Sequence, residues 1–290
     1  MFRDQGRQPH QLLYRPVRTG RPLLARACMP VLLGAIILTT ATGCSSSSGT
    51  KAGNASARTG SGSAAPGGTI TIFAAASLKE SFTTLGQDFE RAYPRTTVKF
   101  NFGASSALAT QINAGAPADV FASAAVKNMT QVTDKGAAAN PSAFASNSME
   151  IAVPPGNPAG VTSLADLGRS SLKVALCQAQ VPCGSTALTV FKNAELTVKP
   201  VTLEQDVKSV LTKVELNEVD AGIVYVSDVQ AAGAKVTGIV IPASLNSSTT
   251  YPIAVLTKAP NPGAAAAFVR YVLSTEGQAV LSADGFAKPN

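Results

Sequence analysis

The side chains in this sequence best placed to act on a small molecule are hydroxyls. Ser77 stands where a β-rich run gives way to a helical one, and Ser105 stands at a second junction of the same kind. At a helix start the first backbone N–H groups lack partners and the dipole favours negative charge. A serine there, beside small residues such as Ala74, Ala75 and Ala76, offers an anion a hydroxyl donor and bare amides. Ser77 has a second reading. With Glu80 three residues later it makes a Ser-x-x-Glu capping box, in which the hydroxyl serves the helix itself, and the local pattern leaves both readings open. Imidazole chemistry has nothing to work with beyond the leader described next. The one histidine is His10, so Ser-His-Asp and Cys-His nucleophiles and most zinc sites are excluded from the exported chain, and no cofactor is expected.

Arg3, Arg7, Arg15, Arg18, Arg21 and Arg26 form a basic region ahead of an apolar stretch over 27–38, which is shorter than the about 20 residues a membrane-spanning helix needs. This is the pattern of a secretory signal over 1–43. It ends in Ala41-Thr42-Gly43-Cys44, which resembles the lipobox of bacterial lipoproteins, with Ala41 where leucine is usual. That resemblance implies lipidation of Cys44 and attachment to the cell membrane on its extracytoplasmic face. An ordinary signal peptide with a coincidental cysteine is the alternative. Residues 44–68, rich in Ser, Gly, Ala and Thr, hold no large apolar side chain and read as a flexible tether. Removing 1–43 takes away six Arg and one Asp and lowers the formal charge from +7 to +2. A nucleic-acid partner is therefore not expected, since the basic excess belongs to the leader. Cys177 and Cys183 remain in an exported, oxidising setting, where a disulfide between them is expected.

These residues need elements to hold them. The sequence has 290 residues, 45% hydrophobic, with a mean hydropathy of +0.17, enough for a real core. Alternation over 69–74 predicts a strand, and Leu78, Phe82, Leu85, Phe89 and Tyr93 at three- and four-residue steps predict a helix after it. Residues 96–102 repeat the strand, and Leu108 and Ile112 the helix. A short strand over 118–122 and a helix over 126–133 follow. An extended run over 147–153 then leads to Pro154-Pro155-Gly156. The pattern restarts with a strand over 172–177, a loop over 178–184, a helix over 185–194, a helix over 204–216 with Asp206 in its first turn, and a strand over 221–226. Two β-rich runs, 237–242 and 250–256, precede a closing helical segment over 262–281. Serine-bearing helix starts at the carboxyl ends of two neighbouring strands are what an open α/β sheet presents to a ligand.

Six stretches, taken in order, resemble one family. They are ITIFAAASL at 70–78, FGASSALATQI at 102–112, GAPADVFASA at 115–124, GIVYVSD at 222–228, YPIAV at 251–255 and GQAVLSADGF at 277–286. Together they are similar to the substrate-binding proteins of molybdate ABC importers, a branch of the type II periplasmic binding proteins. The resemblance implies an α/β, two-lobed fold with mostly parallel central sheets, flanking helices and two crossing segments as a hinge. One lobe would hold 69–149 and 249–290 and the other 150–248. It implies no enzyme. It implies a monomeric receptor for molybdate or tungstate that serves a molybdate ABC permease in the membrane. Carried over by position, the anion's ligands fall on the hydroxyls of Ser77, Ser105 and Tyr225 and the backbone N–H groups of Cys183 and Val207. Ser106 is an alternative to Ser105, and Tyr225 and Val207 could be core packing. No ligand is charged, which suits a buried dianion, because fixed neutral dipoles need no buried counter-charge. The sequence departs from the family at Cys183, where alanine is usual, and at Ala125, where aspartate is common. Another tetrahedral oxyanion, sulfate or phosphate, is the nearest alternative. A thiol-redox role for Cys177 and Cys183 lacks both Cys-x-x-Cys spacing and flanking basic residues.

Overall fold

The strand β1 (Gly68–Ala75) is covered on both faces, with Ile70, Ile72 and Ala74 fully buried and Phe73 nearly so. That burial is why its last six residues run almost without a polar side chain. It lies between β2 (Thr96–Gly103) and β3 (Val120–Ala122), parallel to both. The helices α1 (Lys79–Ala92), α2 (Ser105–Asn113) and α3 (Val126–Thr133) each turn one apolar stripe inward, with Phe82, Leu85 and Phe89 on the first and Leu108 and Ile112 on the second. The computed structural model describes residues 66–289, so the leader over 1–43, Cys44 and the tether as far as residue 65 lie outside the described residues.

After β4 (Ser142–Val153) come β5 (Val174–Cys177), α4 (Pro182–Asn193), β6 (Thr202–Glu204), α5 (Val207–Glu215), β7 (Ala221–Tyr225), α6 (Val226–Ala232), β8 (Thr237–Val240), β9 (Ser248–Val255), α7 (Pro262–Leu273) and α8 (Thr275–Ala283). The strands run in the order β2-β1-β3-β9-β4-β7-β5-β6, with β8 beside β4. Parallel sets β2-β1-β3 and β6-β5-β7 thus sit at the two ends. The antiparallel strands β9 and β4 join them. The strand β4 is shared along its length: Ser142 to Ser148 pair with β9, and Met149 to Ala152 with β7. Apolar burial divides in the same place. One cluster draws on Met149 to Ile241 together with Ala76, while two others draw on Ile70 to Ala145 and Tyr251 to Phe286. In the first half Phe82 meets Phe144, Phe268 and Phe100 at centroid distances of 5.7, 6.0 and 6.3 Å, spacings at which tilted rings attract beyond their buried area.

Several sequence expectations change. Ser77 is not a helix cap. It lies in a 3-10 turn (Ala76–Leu78), Leu78 precedes the α-helix without a side-chain cap, and Glu80 pairs elsewhere. The helix expected over 204–216 starts at Val207. Glu204 ends β6, and Asp206 is the cap before the helix, its carboxylate accepting the Ser209 N–H at 2.9 Å. The helix expected over 185–194 starts earlier, at Pro182, because proline suits a first helical position, where no N–H is needed. The closing segment over 262–281 is two helices, broken at Ser274, whose side chain caps α8 through the Gly277 N–H.

Candidate functional site

Four helix or turn starts converge between the two halves of the sheet. Ser77 follows β1, Ser105 opens α2, Cys183 is the second residue of α4 and Val207 the first of α5. Tyr225 closes the ring at the end of β7. All five line one small cavity of about 20 Å³, with Ala75, Ala76, Gly103, Ala104, Ala124, Val181, Pro182 and Asp206, close to the smallest volume that holds a water. Any solute there touches both halves. All five are buried, none more than 4% exposed. The N–H groups of Cys183 and Val207 belong to the first helical turns, so no acceptor in their own helices claims them. No lysine or arginine lines the cavity. Its one carboxylate, Asp206, is engaged by the Ser209 N–H and hydroxyl.

The hydroxyls are held from behind. Ser105 Oγ accepts the Ala124 N–H at 2.9 Å, and Ser77 Oγ shares a hydrogen bond of 2.9 Å with the Tyr251 hydroxyl. The Tyr225 hydroxyl is buried with no hydrogen-bond partner; Thr186 and Tyr251 lie beside it without hydrogen-bond geometry. Burial pushes the phenol of Tyr225 well up, so it keeps its proton and remains a donor. Its backbone N–H is fixed by Asp228 Oδ2 at 3.1 Å.

Cys177 and Cys183 are joined by a disulfide, with their Cα atoms 5.8 Å apart. Because α4 starts early, the bridge ties the end of β5 to the first turn of a helix, where the sequence suggested a loop. Gly184 explains how closely that turn approaches: a Cβ there would lie 2.0 Å from the Gln178 carbonyl oxygen, so only glycine fits.

A group of charges spans the halves nearby. Lys208 Nζ lies 2.7 Å from Glu80 Oε2 on α1 and 3.0 Å from Asp228 Oδ1 on α6. Burial opposes the charge on Lys208, but the two carboxylates outweigh it and raise its pKa. Burial raises the Asp228 pKa, with Lys208 opposing. Sequence reasoning missed this group, the Ala124 amide and Tyr251. Tyr251 opens the YPIAV stretch, so its position was marked, but its pairing across 174 residues with Ser77 had no local signal.

Helix starts that converge on a cavity between two α/β halves define a receptor for a small solute, and the chain belongs to the bacterial extracellular solute-binding proteins, whose family model matches residues 70–287. It is 42% identical over 221 residues to the molybdate-binding protein ModA of Mycobacterium tuberculosis, which covers 76% of this chain and 85% of that one. It is 32% identical over 226 residues to YvgL of Bacillus subtilis, provisionally described as an ABC transporter substrate-binding lipoprotein, covering 75% and 86% of the two chains. The periplasmic molybdate-binding protein of Azotobacter vinelandii superposes with a TM-score of 0.69 at 19% identity, over 76% of this chain and all of that one. That likeness establishes the two-lobed type II binding-protein fold. Among the described residues no helix is long and apolar enough to cross a membrane.

Proposed function

We propose that this protein is a lipid-anchored receptor that captures molybdate, and tungstate with it, in the cavity between the halves and delivers it to an ABC permease. The observation that carries the reading is the donor set: Ser77, Ser105 and Tyr225 hydroxyls and the Cys183 and Val207 amides surround one cavity with no cation. A ring of neutral donors suits a fully deprotonated dianion and disfavours an anion that still holds a proton. The names of the Mycobacterium and Azotobacter relatives support molybdate as that dianion. The Cys44 motif and the description of the Bacillus relative support the lipid anchor.

Thermal unfolding with molybdate, tungstate, sulfate or phosphate tests the ligand. Molybdate and tungstate at 100 times their dissociation constants are expected to add about 2.7 kcal/mol, roughly 5–10 °C for a chain of this size, with phosphate inert. Stabilisation by phosphate alone, or by none of the four, overturns the assignment. Cys44→Ala is expected to release the protein from membranes, and retention after a high-salt wash overturns the anchor.

A further inference from the structure

We propose that Tyr251 is a positioning residue that fixes the direction of the Ser77 hydroxyl hydrogen, and that this makes the site reject anions that carry a proton. The inference rests on the oxyanion reading above. A serine hydroxyl has one hydrogen and can either give it or receive another. In an anion site the difference decides specificity. A serine whose hydrogen points into the cavity meets a bare oxygen well and a protonated oxygen badly, whereas a freely rotating one accommodates both.

The two cavity serines are supplied from behind in the same way. Ser105 Oγ takes the Ala124 N–H at 2.9 Å, and an amide can only donate, so the Ser105 hydrogen is left for the cavity. Ser77 Oγ meets the Tyr251 hydroxyl at 2.9 Å, a bond in which either oxygen could be the donor. The difference in acidity decides it. A phenol is more acidic than an aliphatic alcohol, so the pair is stronger with tyrosine donating. That leaves the phenol hydrogen for Ser77. Tyr251 is fully buried against the rings of Tyr225, Phe144 and Phe286, so the phenol cannot turn away. The order is Tyr251 to Ser77 to the cavity, each hydrogen running inward. Tyr251 is absent from the cavity lining, so it acts through Ser77 and touches no ligand.

The test is calorimetric titration of the wild type, Tyr251→Phe, Ser77→Ala and the double variant with sodium molybdate, sodium sulfate and sodium phosphate at pH 8, where phosphate is mostly the singly protonated dianion. Tyr251→Phe keeps the buried ring and removes only the oxygen. It is expected to weaken molybdate and sulfate by about two- to tenfold, the size of one neutral hydrogen bond, and to leave phosphate unchanged or tighter, so that preference over phosphate falls. In the Ser77→Ala background the same change is expected to leave that preference alone. Equal weakening of all three anions by Tyr251→Phe, or an undiminished effect without Ser77, overturns the inference. A wild type that binds sulfate but not molybdate refutes the molybdate reading and leaves the Tyr251 test intact. One that binds none of the three refutes both.

Discussion

Ser105 and Tyr225 lose different things when their oxygens are removed. Ser105→Ala takes a donor from the anion and also strands the buried Ala124 N–H, whereas Tyr225→Phe removes a hydroxyl that no protein group uses. Both are expected to weaken anion binding by about 1.5–3 kcal/mol, as for a hydrogen bond to a charged group. Only Ser105→Ala should also lower stability without anion, by about 1–3 kcal/mol. Titration calorimetry and anion-free melting separate the two effects. Glu150 on β4 gives a pH signature. It is buried with no cation paired to it among the described residues, and burial raises its pKa above the ordinary value. A raised carboxyl pKa means the folded state holds its proton longer. The stability is therefore full below the unfolded value near 4.5 and is lost as pH rises through the folded one. Glu150→Gln is expected to raise the melting temperature at pH 7.5, by about 2–4 °C for each kcal/mol relieved, with the gain gone at pH 4. A gain that grows toward low pH contradicts this. At this scale the serines and Tyr225 were legible because residue type and a strand–helix junction are local facts. The source of each hydrogen was not, since Tyr251 and Ala124 reach their serines only through the fold.

Element boundaries mattered most at α4 and α5. Reading α4 from its apolar periodicity placed its start at residue 185, because the Pro182-Cys183-Gly184 turn reads as a breaker. In the fold Pro182 occupies the one helical turn that tolerates it, and the disulfide and Gly184 press that turn against the end of β5. The Cys183 amide is thereby fixed before an anion arrives, which spares the cost of ordering it on binding. Likewise α5 starts late because Asp206 leaves the helix to cap it. The starts of α1 and α5 are linked by Glu80 and Lys208. Glu80 is partly solvated, so Glu80→Gln should cost under about 1 kcal/mol of stability. Because the bond joins the halves, it should show as an anion release rate up to about fivefold faster, with a difference that shrinks as salt is raised. Lys208→Met leaves Asp228 buried and unpaired and should cost about 3–5 kcal/mol of stability. Stopped-flow release and thermal unfolding check both, and unchanged release in Glu80→Gln at low salt contradicts the bridging role.

Across the whole molecule the sequence disclosed the two α/β patterns and their order, because alternation and helical spacing are carried by neighbours in the chain. It did not disclose that β4 serves two partners in succession, β9 and then β7, since strand pairing is a long-range choice. That shared strand and the returning β9 keep the two halves in one sheet while their apolar clusters stay separate but for Ala76, which is buried in the second half's cluster. The five donors meet only where the halves face each other, so the central claim concerns one place between them. Diffraction from crystals grown with molybdate, recorded on both sides of the molybdenum absorption edge, locates the metal directly. The account predicts a single strong anomalous peak in the cavity, with the Ser77, Ser105 and Tyr225 hydroxyls and the Cys183 and Val207 amides within hydrogen-bond reach of its oxygens. A peak anywhere else, or none, contradicts it.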